Sequence, residues 1–502
     1  MAIPIIDVFA GPGGLGEGFS SLSNKAGEPV FSIAASIEMD GVACQTLRLR
    51  SLYRKLKGNQ DLESLYWQFV SQKISQEEFL NHDQIRPLFT EASTHVHQIE
   101  LGSESQFLSD KVIRDALEER GILENSFMPW VLIGGPPCQA YSLAGRSRRA
   151  NDETFASDKK HFLYQEYLHI LAEFKPALFI MENVKGLLSA QATGDKMFQK
   201  ILGDLSKPSD ECQYEIHSVV VNSLDQKYEP KDFVVRSEDY GIPQKRHRVI
   251  LLGIRKDFSA RFPAFDKTLN QAPSVTVRDA ISDLPQLRSG ITPKTLDNFE
   301  LWSSLRDNLL AQYGTDSLRA SSKRENTLGS GWIPTESLPT NNNVYSRWVR
   351  DGFPGFISQH QARSHMKMDL ARYFYYATVA ADTGISIKIS DLPSDLTPAH
   401  KNATNPSGHF SDRFRVQLWD KPSSTVVSHI SKDGHYYIHP DPLQMRSLTV
   451  REAARLQTFP DSYHFMGNRT QQYHQVGNAV PPLLAKQIAE LVEEYLAQNL
   501  GS

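Results

Sequence analysis

Val131-Leu-Ile-Gly-Gly-Pro-Pro-Cys-Gln-Ala-Tyr-Ser142 is the stretch whose reading decides the fold. The apolar run 130–133 has the length and composition of a buried parallel strand, and Gly134, Gly135, Pro136 and Pro137 end it abruptly. Cys138 therefore falls in a stiff loop just past the carboxyl end of a strand, where open α/β sheets bind ligands. A lone cysteine in a reducing compartment is most often a small buried hydrophobe. Such a residue does not need two glycines and two prolines in front of it, so the loop reads as one that presents a thiol.

Upstream, residues 3–9 read as a strand, followed at once by Gly11-Pro-Gly-Gly-Leu-Gly16. A helix over 17–25 and a second strand over 30–37, ending on Glu38, complete a βαβ unit. The glycines let backbone approach a ligand, and Glu38 can take two ribose hydroxyls. This unit alone fits a nicotinamide cofactor or S-adenosylmethionine about equally. A helix is expected over 41–52. Residues 53–95 read as a polar, helix-rich insertion packed on the sheet edge, with Leu62, Leu65, Phe69 and Ile74 as a core stripe. A further helix over 110–120 leads to the Cys138 strand.

Downstream, Ala144-Gly-Arg-Ser-Arg-Arg-Ala150 is a compact basic loop beside the thiol. A helix over 162–174 and a strand over 177–181 lead to Glu182-Asn-Val184, again at the carboxyl edge. Strands over 215–223 and 249–254 are expected as an antiparallel edge pair, with Tyr240-Gly-Ile-Pro-Gln-Lys-Arg-His-Arg248 as a loop between them. Residues 274–285 form a short helical connector. Residues 286–411 alternate turns, short helices and aromatics with poor periodicity. Short strands are expected at 413–418, 424–428 and 436–439. Thr449 and Glu452 form a capping box for a helix over 449–457, and an amphipathic helix spans 483–498.

The bulk numbers are those of a soluble globular protein. The chain has 502 residues, enough for two or three domains, and is 40% hydrophobic and 22% charged. No apolar run approaches the ~20 residues of a membrane span, and the N-terminus lacks the basic region of a signal peptide. A net charge of −4 argues against a general nucleic-acid coat but leaves room for a local basic cleft. Cys44, Cys138 and Cys212 include no Cys-x-x-Cys pair, which argues for a reducing compartment without disulfides or a thiolate metal site.

In order along the chain, these blocks resemble those of one family, the DNA (cytosine-5)-methyltransferases. Asp7-Val-Phe-Ala-Gly-Pro-Gly-Gly14 looks like the family's first block, Gly134-Gly-Pro-Pro-Cys-Gln139 like its nucleophile block and Glu182-Asn-Val184 like its acid block. Gln244-Lys-Arg-His-Arg248 resembles the Gln-x-Arg-x-Arg block. Arg451-Glu-Ala-Ala-Arg-Leu-Gln-Thr-Phe-Pro-Asp461 and Gly477-Asn-Ala-Val-Pro-Pro482 resemble the last two. One block is modest evidence, whereas six in family order are specific. The resemblance covers about 1–285 and 412–495, the insertion apart. It implies an α/β fold: a Rossmann-like S-adenosylmethionine-dependent methyltransferase domain over 1–285, a smaller irregular target-recognition lobe over 286–445, and a return segment, 446–502, completing both.

The resemblance also implies the chemistry. A methyl group passes from S-adenosylmethionine to C5 of a cytosine flipped out of a specific duplex DNA sequence, through a covalent Cys138–C6 adduct. Glu182 then serves N3 of the base, Arg248 its carbonyl, and Arg246 stands near the thiol. The cofactor site comprises Phe9, Ala10, Gly11, Gly13, Gly14, Leu15, Glu38, Met39, Pro137, Asn478 and Val480. DNA contacts fall to Gln139, Ser142, Arg146, Arg148, Arg149, Gln244, Thr425 and Val426, with Arg347 and Arg350 the first choices for reading bases. The expected partners are double-stranded DNA and a restriction nuclease or defence-system protein. No metal and no membrane are expected, and the protein acts as a monomer in the bacterial cytoplasm at the nucleoid. The same chemistry on RNA and a catalytically silent DNA-binding relative are the alternatives. Intact Cys138, Glu182 and Arg248 count against the second. One departure stands out: the family's Asp after the third strand is missing from Thr94-His-Val-His-Gln-Ile-Glu100, leaving His97, Gln98 or Glu100 to replace it.

Overall fold

The computed structural model describes residues 2–122, 128–137, 163–188, 194–222, 228–261, 264–320, 327–335, 343–398 and 413–500. Its spine is a sheet in which β1 (Ile3–Val8), β2 (Phe31–Glu38), β3 (Val96–Gln98), β4 (Val131–Gly134) and β5 (Leu178–Val184) run parallel. After β6 (Tyr214–His217), β7 (Val234–Arg236) and the short β8 (Gln244–Lys245), β9 (His247–Arg255) returns antiparallel beside β5. The order is β3-β2-β1-β4-β5-β9-β6, with β7 also on β9. The expected antiparallel edge pair is present: β9 lies between β5 and β6, and β6 closes that side of the sheet. Its core Val249–Leu252 is fully buried, as a continuous apolar run requires.

Chain order reverses at β1, whose neighbours are β2 and β4. The carboxyl ends of β1 and β4 therefore flank a crevice, the usual binding place in such sheets. Apolar clusters cover both faces: Ile5, Val131 and Ile133 join one, Ile6, Val8 and Leu132 the other, as alternation along each strand dictates. The glycine turn opens helix Gly14–Ser20, which lies against the C-terminal helix Pro482–Leu500. The insertion is helical as expected. Gln60–Val70, Gln76–Asn81 and Ile85–Thr94 bury Tyr66, Phe79 and Ile85 against Gly41–Leu56. Among the described residues, no helix is long and apolar enough to cross a membrane.

The segment with poor periodicity contains two long helices, Phe299–Tyr313 and Lys367–Thr383, around a separate core of Trp302, Leu370, Tyr373 and Phe374. The second helix buries Leu370, Ala371, Tyr373, Phe374, Tyr376 and Ala377, which lie around much of its circumference, so no stripe appears in its sequence. Tyr345, Val349 and Ile357 from the same segment enter the first core. The short strands expected at 413–439 reduce to Ser423–Ser424, paired with β8, and to isolated bridges of Ile438 with Val416 and Ser447; short 3-10 turns at Ser428–Ser431 and His435–Tyr437 lie between stretches of irregular chain. The expected capping box of helix Val450–Leu456 is formed by Thr449 and Glu452.

Gly253 in β9 faces Phe179 of β5, and a methyl group there would lie 2.0 Å from the ring. The ring is itself wedged edge-on against Tyr214 at 5.1 Å. Gly253→Ala should therefore lower stability by about 1–3 kcal/mol, the usual cost of overpacking. Pairing it with Phe179→Leu should recover part of that loss. A denaturation midpoint equal to the parent's for the single variant would show that the sheet can yield here.

Candidate active site

The first half of the site is the turn after β1. Phe9 has φ +55°, a left-handed backbone that non-glycine residues adopt only under constraint. Gly11 and Gly13 follow at +55° and +85°. Glu38, at the carboxyl end of β2, braces this turn: its Oε2 accepts from Gly11 N at 2.7 Å and its Oε1 from Asp40 N at 2.8 Å. The last block closes from the other side. A Cβ on Gly14 would lie 2.2 Å from Val480 O, so only glycine admits this approach. Tyr463 donates its hydroxyl to Pro12 O. Ala10, Leu15 and Val480 are buried walls, whereas Met39 and Asn478 are exposed and Phe9 and Pro137 half-buried.

The second half stands at the ends of β4 and β5. Glu182 and Arg248, neighbours across β5 and β9, pair charge to charge, Oε1 to Nε 2.7 Å, each side chain 13% exposed. This contact is a close ion pair rather than an aligned hydrogen bond. Gly135 leaves room for it, since a Cβ there would lie 2.9 Å from Glu182 Oε2. Asn183 turns inward and donates from Nδ2 to Pro136 O at 3.1 Å, tying the acid strand to the loop that leads to Cys138. Cys138, Gln139, Ser142, Arg146, Arg148 and Arg149 lie outside the described residues.

Four expectations are corrected by burial and pairing. Gln244 is fully buried: its amide donates to Leu456 O and Gln457 Oε1 and accepts from Val426 N, which leaves nothing for DNA. Val426 is fully buried as well. Arg246, 3% exposed, donates to Val426 O at 2.8 Å and Gly477 O at 3.3 Å. Burial, and then the neighbouring charge of Arg248, push its guanidinium well below the ordinary arginine range. Its guanidinium holds the backbone at Val426 and Gly477. Arg350 is locked to the nearly buried Asp283 at 2.6 Å, which takes it out of base reading. Arg347 is exposed, but on helix Val344–Val349, whose Tyr345 and Val349 pack into the first core and whose Trp348 donates to Thr458 O. Thr425 is half-buried and donates to Lys245 O at 2.5 Å.

Two groups were missed or left open by sequence reading. Asp7, 1% exposed at the end of β1, has no hydrogen-bond partner on either oxygen. Burial, then the charge of Glu38, raises its carboxyl from 3.8 to about 8, with Arg54 opposing. The sequence places an Asp there, but only tertiary packing isolates it. After β3, Gln98 folds its amide back toward Met39 O at 3.4 Å, whereas Glu100 is exposed one residue beyond the Ile99 N–Glu38 O bond. Glu100 is the carboxylate nearest in sequence to the end of β3. Among the described residues no cluster of His, Cys, Asp and Glu has the makings of a metal site.

Residues 119–494 match the family model for C-5 cytosine-specific DNA methylases. The Type II methyltransferase M.Bpa9945I of Bacillus paralicheniformis is 36% identical over 504 residues, covering 98% of this chain and 99% of that protein. The Type II methyltransferase M.AgeI of Thalassovita gelatinovora is 29% identical over 390 residues, 72% of this chain and 82% of its own. A structure described as a prophage-encoded DNA modification methyltransferase of E. coli aligns over 99% of both chains with TM-score 0.53 and 19% identity, a likeness of fold.

The isolated Asp7 makes stability depend on pH with a definite sign. Folded, it keeps its proton up to about pH 8; unfolded, it releases it near 3.8. Between these values the unfolded chain binds fewer protons, so Asp7's contribution to stability falls as pH rises through the window and is flat outside it. Asp7→Asn should remove that slope. Denaturation midpoints of both proteins at pH 5 and pH 8.5 check it, and parallel behaviour of the two would mean that the carboxyl is solvated.

Proposed function

The chain belongs to the C-5 cytosine-specific DNA methylase family, and from that premise we propose that it uses S-adenosylmethionine to methylate C5 of a cytosine flipped out of duplex DNA. The observation that carries the reading is the half-buried Glu182–Arg248 pair, tied through Asn183 and Pro136 to the loop that leads to Cys138. Cytosine C5 is a poor nucleophile until a thiolate adds at C6 and makes the ring an enamine. Cys138 supplies that thiolate; at an ordinary thiol pKa of ~8.5 only a few per cent is ionised at neutral pH. Glu182 hydrogen-bonds or protonates N3 as negative charge builds on the ring, and Arg248 stabilises charge at the carbonyl. The contact between the two holds both side chains in position before the base arrives. Arg246 acts at one remove, by holding Val426 and Gly477.

The cofactor fits the residues at the ends of β1 to β4. When bound, S-adenosylmethionine supplies an electrophilic methyl group. Glu38 would take the ribose hydroxyls while bracing Gly11, Phe9 would stack on the adenine, and Glu100 would accept from its amino group. Gly11 to Gly14, Met39, Pro137, Asn478 and Val480 would enclose the rest. The recognised sequence falls to the lobe over 286–445, with Thr425 at its inner border. Relatives named as type II methyltransferases support a role beside a restriction nuclease.

Cys138→Ser should abolish methyl transfer and leave cofactor binding intact, because the thiol and the glycine turn belong to different loops. Duplex DNA carrying 5-fluorocytosine at the target should trap a denaturant-stable adduct with the parent enzyme, since fluorine cannot leave as a cation. Labelled methyl appearing in RNA but not in duplex DNA would reverse the substrate assignment. Glu38→Ala removes a charge-assisted bond as well as the brace on Gly11 and should weaken cofactor binding by about 1.5–3 kcal/mol. Calorimetry that finds the affinity unchanged would remove Glu38 from the site.

A further inference from the structure

We propose that the helical insertion over 57–94 is a positioning element for the recognition lobe: it clamps the antiparallel ribbon Gly329–Pro334/Phe356–Gln361, and through it the turn Ser428–Ser431 that follows Thr425 and Val426. The inference rests on the reading of that lobe as the DNA-gripping part.

Contact begins at the insertion's aromatic core. Trp67 meets Phe356 edge-on at 5.9 Å, and Phe356 meets Trp332 across the ribbon at 6.1 Å. Gln72 follows helix Gln60–Val70 with φ +60°, a left-handed backbone. Its side chain lies so close to Gly331 that a Cβ there would come within 2.7 Å of Gln72 Nε2. Lys57 pairs with Asp351 at 2.8 Å, and Phe69 meets His464 at 5.9 Å. The insertion thus touches both strands of the ribbon and the loop behind it.

Strand Phe356–Gln361 is gripped from its other side too. The buried Arg451 donates to Ser358 O and Oγ, each at 3.0 Å, and Gln359 donates to Phe465 O at 2.7 Å. Beyond Gln361 the chain runs directly into Arg363. That guanidinium is 8% exposed, lies 3.8 Å from the Tyr473 ring centre and donates to Ile430 O. Ile430 is four residues past Val426, whose backbone is held by Gln244 and Arg246. A shift of the ribbon therefore moves the turn beside the catalytic edge. Packed elements joined by short, saturated contacts transmit such shifts instead of absorbing them.

The full-length chain tests this. Gln72→Gly removes the side chain while easing the left-handed backbone, so the protein keeps its fold; Trp67→Ala and the conservative Trp67→Phe complete the set. Hydrogen exchange without DNA should quicken by about tenfold in 329–334 and 356–361 for Gln72→Gly and Trp67→Ala. KM for duplex DNA should rise about tenfold, with kcat at saturating DNA within about twofold. Cofactor affinity should stay unchanged, and Trp67→Phe should restore most of the loss. Unchanged ribbon exchange in Gln72→Gly and Trp67→Ala overturns the clamp. Faster exchange with an unchanged KM for DNA overturns its link to DNA binding. Failure of the parent protein to methylate duplex DNA would instead overturn the functional reading, which the exchange measurement does not depend on.

Discussion

Three guanidinium groups, Arg446, Arg451 and Arg455, are buried with at most 1% of each residue exposed. A buried charge costs several kcal/mol unless it is paired and its remaining donors are satisfied. Each of the three is met. Arg446 pairs with Glu452, Arg455 with Asp461 and Asp283, and Arg451 donates to Ser358, Pro460 and Tyr463. These partners come from the connector after β9, the ribbon of the second lobe and the segment leading to the last block. Leaving any guanidinium unmet would be so unfavourable that the segments must assemble together. This makes helix Val450–Leu456 the joint between the two cores.

From that joint the active-site geometry follows. Gln457 and Leu456 take the Gln244 amide, which sets β8. Gln244 and Arg246 then fix Val426 and Gly477, and the segment after Gly477 presses Val480 onto Gly14. Residues from four distant parts of the chain are so brought to one sheet edge. Arg248, two residues beyond Arg246, is left facing Glu182. Of two arginines in one short motif, the first is taken up by carbonyl groups and the second by a carboxylate.

Two acids near the turn show how burial separates roles. Glu38 is bonded by two backbone amides, so its charge is supported by the turn it braces. Asp7, one strand away, has no such support, and burial raises its carboxyl to about 8. The same side-chain chemistry therefore provides a backbone brace in one place and an isolated, predominantly protonated group in the other.

Much was legible in the amino-acid order. Largely apolar runs marked β1, β2, β4, β5 and β9, because strands covered on both faces have no polar face to break the pattern. The blocks around Asp7, Cys138, Glu182, Arg248, Thr449 and Gly477 pointed to the chemistry, since each carries a short-range constraint visible in a few residues. What the order did not reveal was which side of a contact each polar residue faces. Gln244 and Arg350 read as nucleic-acid ligands and Arg246 as a neighbour of the thiol, and only tertiary burial turns them into internal clips. Helix Lys367–Thr383 escaped notice because much of its circumference is buried, which erases amphipathic periodicity. The isolation of Asp7 and the contact of the insertion with the second lobe depend on residues tens to hundreds of positions apart. Such contacts are decided by how cores close, and no local pattern records them.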